Sequence, residues 1–235
     1  FLEKLSRSGF HVDAMYANMP NTMKSLYTAM CGVLPYPGVE WREYEADNKW
    51  LQGCLPALLS QHNVDSVFFT SSGVGMQPAL FNSTFSGREL AAQAIARGKQ
   101  PKNVNYLGYD ESIMLEPIKR WVHERHQKKQ SFFAVIQTVS THAPYALPEG
   151  VVERKLAPKG SDPAYNRYMN LIRRSDKFVE QLASTLPQDT VLIVTGDHGE
   201  GFGESHFSTQ KALFHGMTVF DEIVRVPLII SSVPT

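Results

Sequence analysis

The sequence predicts an α/β fold, a mostly parallel sheet sandwiched between helices, and three observations carry that expectation. Four short runs rich in β-branched and aromatic residues are apolar throughout rather than alternating, as strands covered on both faces are. Stretches with apolar residues at helical spacing separate them. At 235 residues, 43% of them hydrophobic, the chain can close such layers around a core.

The strand runs are "VDSVFFT" (64–70), "FFAVIQTVS" (132–140), "TVLIVTG" (190–196) and "VPLIIS" (226–231). Of the helical patterns, "KWLQGCLPALLSQH" (49–62) is amphipathic, with Pro56 kinking or restarting it. The pattern at 111–129 puts Ile113, Met114, Ile118, Trp121 and Val122 on an apolar side and keeps a basic outer face. A third pattern, 165–186, stops before Pro187. Residues 148–164, rich in Pro, Gly and charge, read as a surface loop over the site, and 71–88 as an irregular stretch. "LEKLSRSG" directly after Phe1 reads as helix interior, so the expectation is one domain over 1–235, a piece of a longer protein lacking its first strand and a C-terminal portion.

Composition excludes some classes. Formal net charge is zero and the pI is about 7.3, which implies neither a nucleic-acid surface nor an acidic tail. No apolar run approaches the ~20 residues of a membrane span. Cys31 and Cys54 both sit in apolar contexts and are expected as two buried free thiols, with a single bridge as the alternative. "FNST" fits the N-glycosylation pattern at Asn82.

In parallel sheets functional residues gather past the carboxyl ends of strands, which here selects the segments after 64–70, 132–140 and 190–196. After 190–196 comes "GDHGEGFGE", where Asp197 and His198 leave a strand side by side between glycines. A carboxylate and an imidazole so placed can address one cation. After 132–140 comes "STHAPY", which puts His142 at the same edge. His215 precedes Gly216, which leaves room for a ligand, and is preferred over His206. Asp221, Glu222 and Arg225 are expected to form a structural ion pair. His11, His62, His123 and His126 read as solvated or packing residues.

"PNTMKSLYTAMCG" (20–32) reads as a turn and a helix from Met23 to Cys31, with Gly32 at the C′ position. A hydroxyl in its first turn faces the positive end of the helix and unpaired N–H groups, which suit a tetrahedral oxyanion. Thr22 holds that position, and Ser25 lies one turn on. The alternative is that Asn21 or Thr22 is only an N-cap.

Taken together, these segments resemble the sulfatase family of the alkaline-phosphatase superfamily. The likeness runs through "FLEKLSRSGFHVDAMYANMPNT", "CLPALLSQHNVDSVFFTSS", "QSFFAVIQTVSTHAPYALP", "TVLIVTGDHGEGFGE" and "FDEIVRVPLII", in that order. The resemblance implies a metal-dependent enzyme of phosphate or sulfate esters. Asp197 and His198 would be metal ligands, and Thr22 would be nucleophile and a third ligand. His142 and His215 would contact substrate oxygens or the leaving group, with Ser25 and Lys24 as substrate contacts. The divalent ion is compatible with Zn, Mn or Ca.

True sulfatases place Cys or Ser at the nucleophile position within C/S-x-P/A-x-R. This chain has Thr22-Met-Lys-Ser-Leu, which resembles the phosphoethanolamine and phosphoglycerol transferase branch and leans toward phosphoryl transfer or phosphodiester hydrolysis. The alternatives are a sulfuric ester hydrolase without formylglycine and a catalytically silent domain. The substrate would be a small-molecule, lipid or glycan ester, with no nucleic acid partner and with membrane association through segments outside this sequence. By the same analogy the location is extracytoplasmic: periplasmic, secreted, lysosomal or membrane-tethered.

Overall fold

The computed structural model describes residues 1–34, 50–74, 80–206 and 210–233, and of residues 50, 51, 205, 206 and 210 the backbone alone. In chain order its first elements are α1 (Leu2–Ser8), β1 (Phe10–Tyr16), α2 (Thr22–Cys31), a 3₁₀ turn (Trp50–Gly53) and α3 (Leu55–Ser60). Then come β2 (Asp65–Thr70), β3 (Ser83–Phe85), α4 (Gly87–Ala96), α5 (Ser112–Gln127), β4 (Phe132–Gln137) and α6 (Pro163–Ala183). The last are β5 (Val191–Thr195), β6 (Gly201–His206), β7 (Gln210–Phe214), α7 (Asp221–Val224) and β8 (Arg225–Ser232). They form two compact units, one of residues 59–187 with Phe1, the other of 2–58 and 188–235.

The first unit is built on a parallel sheet of order β3-β2-β4. Its central strand is the run read as covered on both faces, and Val67, Phe68 and Phe69 are fully buried. Phe69 stacks on Phe85 at 4.8 Å and meets the edge of Trp121 at 6.3 Å. Leu90, Met114, Ile118, Val122, Phe178 and Leu182 complete this core from α4, α5 and α6. Each such side chain contributes roughly 1.5–3 kcal/mol by leaving water. Arg125 closes the end of α5, lying 4.1 Å over the Trp121 ring while pairing with Asp65 at 2.9 Å.

The stretch 71–88, expected to be irregular, holds β3 and the start of α4. Ser86 caps α4 in a reciprocal box with Glu89, a signature present in the sequence as Ser-x-x-Glu. Gly87 and Gly108 are required here, because an added Cβ at either would stand 2.2 Å from the Ser71 carbonyl oxygen. Asn82 uses its side-chain oxygen to accept from the Ser66 backbone N–H (3.0 Å) and hydroxyl (2.7 Å), so the glycosylation-like triplet is tied to β2.

The loop before α6 is fastened to that helix by two asparagines one turn apart. Asn166 Oδ1 accepts from the Leu156 and Ala157 N–H groups, and Asn170 Oδ1 accepts from Arg154 N–H. Both side-chain amides donate back to the Arg154 carbonyl, at 2.9 Å each.

In the second unit β8 lies between β1 and β5 and runs antiparallel to both. The expectation of a mostly parallel sheet holds for β3-β2-β4, and this second sheet departs from it. Among the described residues the chain from β5 to β8 contains the β6–β7 hairpin and one helical turn, α7, and no crossover helix that would return β8 parallel. Arg225, expected in an ion pair, donates to the Asp13 carbonyl at 2.8 Å. His11, His62, His123 and His126 are all exposed, in keeping with the reading of them as solvated.

Cys31 and Cys54 form a disulfide, which corrects the expectation of free thiols. The apolar surroundings that suggested buried thiols equally suit a buried bridge, and the 23-residue separation hid that the end of α2 returns to the start of α3. Such bonds persist in oxidising compartments.

Candidate active site

The second unit gathers Thr22, Asp197, His198 and His215. Thr22 is the first residue of α2. Asn21 caps that helix, its side-chain oxygen accepting from Lys24 N–H at 3.2 Å, and Gly32 ends it in the left-handed region at φ 64°. Since Asn21 does the capping, the Thr22 hydroxyl is directed elsewhere, and Oγ1 lies 3.1 Å from His198 Nε2. Ser25 is buried, and its hydroxyl donates to the Met19 carbonyl at 2.6 Å, fixing the turn that leads into the helix. Lys24 is half-buried beside it.

Asp197 and His198 leave β5 at the turn expected from the glycines. Gly199 N–H donates to Ile223 O at 2.6 Å and Glu200 N–H to Glu222 O at 3.0 Å, so the turn is stitched to α7. A Cβ on Gly199 would stand 2.1 Å from Glu222 O, and this close approach demands glycine. His198 Nδ1 lies 2.8 Å from the Gly199 carbonyl oxygen. In the neutral ring that contact places the proton on Nδ1 and turns the Nε2 lone pair toward Thr22. Asp197 Oδ2 is 3.5 Å from the same Nε2, while Oδ1 accepts from His198 N–H at 3.0 Å.

Carboxylate oxygen, imidazole nitrogen and hydroxyl oxygen thus converge, and their chemistry suits a borderline divalent cation. The imidazole is held by a backbone carbonyl through its other nitrogen, as metal-binding histidines are. The set is short of the usual four ligands. Among the described residues no group of three or more His, Cys, Asp or Glu side chains is arranged to hold a metal ion.

His215 stacks on His198, with ring centroids 4.1 Å apart and planes 29° from parallel. Its Nδ1 lies 3.1 Å from each carboxylate oxygen of Glu200, a residue only 9% exposed. The bond to Glu200 raises the His215 pKa above its ordinary value; burial opposes this, and the charges of Glu200 and Asp197 add to it. Gly216 brings the chain against the start of α2, where the nearest atom to an added Cβ is Pro20 O at 3.8 Å. Glu200 had no assigned role in the sequence reading, although it directly follows the Asp-His-Gly run. The side chain of His206, the alternative to His215, lies outside the described residues.

His142 belongs to the first unit, in the turn after β4 that carries the cis Ala143–Pro144 bond. Its Nδ1 is 3.4 Å from the Tyr106 hydroxyl and 3.2 Å from the Ala143 carbonyl oxygen, and the two rings meet edge-on at 5.4 Å. The third strand end, after β2, holds buried Ser71 and Ser72. Ser72 N–H donates to Thr70 Oγ1 at 3.0 Å and its hydroxyl to Val74 O at 3.0 Å. Those contacts are structural.

A family model described as Sulfatase matches residues 1–235. Among solved structures, the lipoteichoic acid synthase LtaP from Listeria monocytogenes aligns with a TM-score of 0.70 at 15% identity, over 98% of this chain and 58% of that one. The C-terminal periplasmic domain of EcEptC from Escherichia coli, in complex with Zn, aligns at 0.68 and 14%, over 99% and 64%. The soluble domain of lipooligosaccharide phosphoethanolamine transferase A from Neisseria meningitidis aligns at 0.66 and 15%, over 98% and 67%. These likenesses are of fold, and the chain spans 58% of the length of LtaP. No curated protein sequence matches the chain.

Proposed function

The chain belongs to the Sulfatase family, and on that premise we propose that it is the catalytic part of an enzyme that transfers or hydrolyses phosphate esters through attack by Thr22. The observation that carries this reading is the 3.1 Å contact between Thr22 Oγ1 and His198 Nε2 at the start of α2. A threonine hydroxyl there needs no conversion to act, and the helix terminus favours an anionic phosphoryl group. The names of the phosphoethanolamine transferase and lipoteichoic acid synthase among similar structures support the phosphate side.

Asp197, His198 and Thr22 would hold the divalent cation, which when bound would lower the pKa of the hydroxyl and neutralise substrate oxygens. Thr22 Oγ1, its proton released to solvent water, attacks phosphorus while the bond to the leaving oxygen breaks, forming a threonine phosphoester. His215, whose protonated form the bond to Glu200 favours, gives a proton to the leaving alkoxide through its other nitrogen. Water or a second alcohol then attacks phosphorus and releases Thr22. His142 enters the reaction through the resemblance of its "STHAPY" segment, as a contact to substrate oxygens, and Lys24 likewise. The bond from Ser25 to Met19 favours a role in holding the turn.

Three further assignments follow from the same reading. The substrate is a small-molecule, lipid or glycan ester. Residues 1–235 serve as one catalytic domain. The Cys31–Cys54 disulfide supports an extracytoplasmic location, and no helix among the described residues is long and apolar enough to cross a membrane.

The test is turnover of bis-p-nitrophenyl phosphate and p-nitrophenyl sulfate side by side in the intact protein, with mass spectrometry of the Thr22 peptide after quenching. Faster phosphodiester turnover and a phosphorylated Thr22 are expected. Preferred turnover of the sulfate would transfer the assignment to a sulfuric ester hydrolase.

A further inference from the structure

Glu111 stands at the position before α5 where a side chain ordinarily turns back to cap the helix, yet it makes no cap bond. It is 3% exposed. Across the fold its carboxylate holds Ser140: Oε1 accepts from Ser140 N–H at 2.9 Å and Oε2 from the Ser140 hydroxyl at 2.5 Å. Ser140 is itself buried and lies two residues before His142. Burying a carboxyl this way is costly, and burial raises its pKa even though the Ser140 bonds pull it back down. Apolar side chains would fill the same space without that cost. What the carboxylate adds is direction, since two bonds to one residue fix the rotation of the chain there.

The same turn is gripped from a second side. Asn105 donates to Val139 O at 2.7 Å, while its own oxygen is held by the Leu107 and Gly108 N–H groups at 2.9 and 3.1 Å. Tyr106, between them in sequence, is the residue whose ring meets His142. The base of the arrangement is anchored as well: Asp110 caps α5 through Ser112 N–H at 3.1 Å and pairs with Arg174 of α6. The Asp110–Glu111 pair therefore links α6, the start of α5 and the His142 turn in one chain of contacts.

From this geometry we propose that Glu111 is a positioning residue that acts through Ser140 to set the orientation of His142. The proposal rests on the reading of His142 as a substrate contact, and the experiment separates the two. In the intact protein, kcat and KM for bis-p-nitrophenyl phosphate are measured for His142→Ala, Glu111→Ala, Glu111→Gln and the double variant His142→Ala with Glu111→Ala, each checked for fold by circular dichroism. Glu111→Ala is expected to lower kcat roughly tenfold to a hundredfold with KM held within about twofold, the scale of a misplaced contact group. Glu111→Gln restores most of the rate, because the amide can still accept from Ser140 N–H and can donate to its hydroxyl.

Adding Glu111→Ala to His142→Ala is expected to cost nothing further, as for two residues acting in one unit. Wild-type kcat in Glu111→Ala, or a full additional loss in the double variant, would overturn the proposal while leaving His142 in place. Wild-type kcat in His142→Ala would remove the functional reading of His142 and the proposal with it. Should Glu111→Ala not fold, Ser140→Ala breaks the hydroxyl bond alone and must show the same kcat loss, smaller in size; wild-type kcat there overturns the proposal equally.

Discussion

Thr22 and His198 are 176 residues apart in the chain, and their Oγ1 and Nε2 atoms are 3.1 Å apart in the fold. The contact joins the first residue of a helix to the turn after a strand, and it uses the ring nitrogen not engaged by the Gly199 carbonyl. Thr22→Ala should lower turnover of a phosphodiester by about a thousandfold or more, the usual scale for loss of a nucleophile. Thr22→Ser should retain measurable turnover, because the hydroxyl stays at the helix start. Steady-state kinetics with thermal melts as a folding control read both, and wild-type turnover in Thr22→Ala would remove the nucleophile assignment.

Asp197→Asn keeps the shape of the side chain and removes its charge. Metal content per chain, measured by elemental analysis after dialysis, should fall with at least a tenfold weakening of affinity. Unchanged stoichiometry would count against Asp197 as a ligand.

The pH dependence of stability follows from Glu200 and His215. The hydrogen bond holds the His215 pKa above its ordinary 6.5, so the folded state binds this proton more tightly than the unfolded chain. The stabilisation is fully present below pH 6.5 and is lost as pH rises through the raised value. With metal removed by chelation, the stability difference between wild type and Glu200→Gln, from urea unfolding, should be largest near pH 6 and shrink by pH 9. A gap that stays constant across that range would contradict the assignment.

Gly87→Ala drives a methyl group to 2.2 Å from the Ser71 carbonyl, with backbone on both sides and no flexible side chain to yield. A loss of about 1–3 kcal/mol is expected, the usual cost of overpacking. It should be seen as a lower urea midpoint at unchanged m. Gly53→Ala, where nothing lies within 4 Å of the added atom, is the control and should stay within about 0.5 kcal/mol.

The parts of this architecture legible in the sequence were those where local pattern and tertiary context agree. The run at 64–70 is apolar because both faces of β2 are covered, and Asn21 with Gly32 bracket α2 because capping chemistry is local. The run at 190–196 has the same composition, yet Val191 and Ile193 are exposed, because a strand's own residues do not state what covers its second face. Glu200 and Glu111 escaped notice for a related reason. Each is meaningful through a partner fifteen or more residues away, His215 in one case and Ser140 in the other. The Cys31–Cys54 bridge stood only as the alternative to free thiols, since apolar neighbours surround thiols and disulfides alike.

One end of α2 carries Thr22 and the other carries Cys31, bonded to Cys54. Ten residues of helix make a rod about 15 Å long. It works as a stylus clamped at its far end, and the tip is aimed no more finely than the clamp is stiff. The oxidant that closes the bond is thus a tool of calibration as well as of folding. On the proposed reading of Thr22 as nucleophile, reducing the bond is expected to slow phosphodiester turnover, which kinetics with and without dithiothreitol would read.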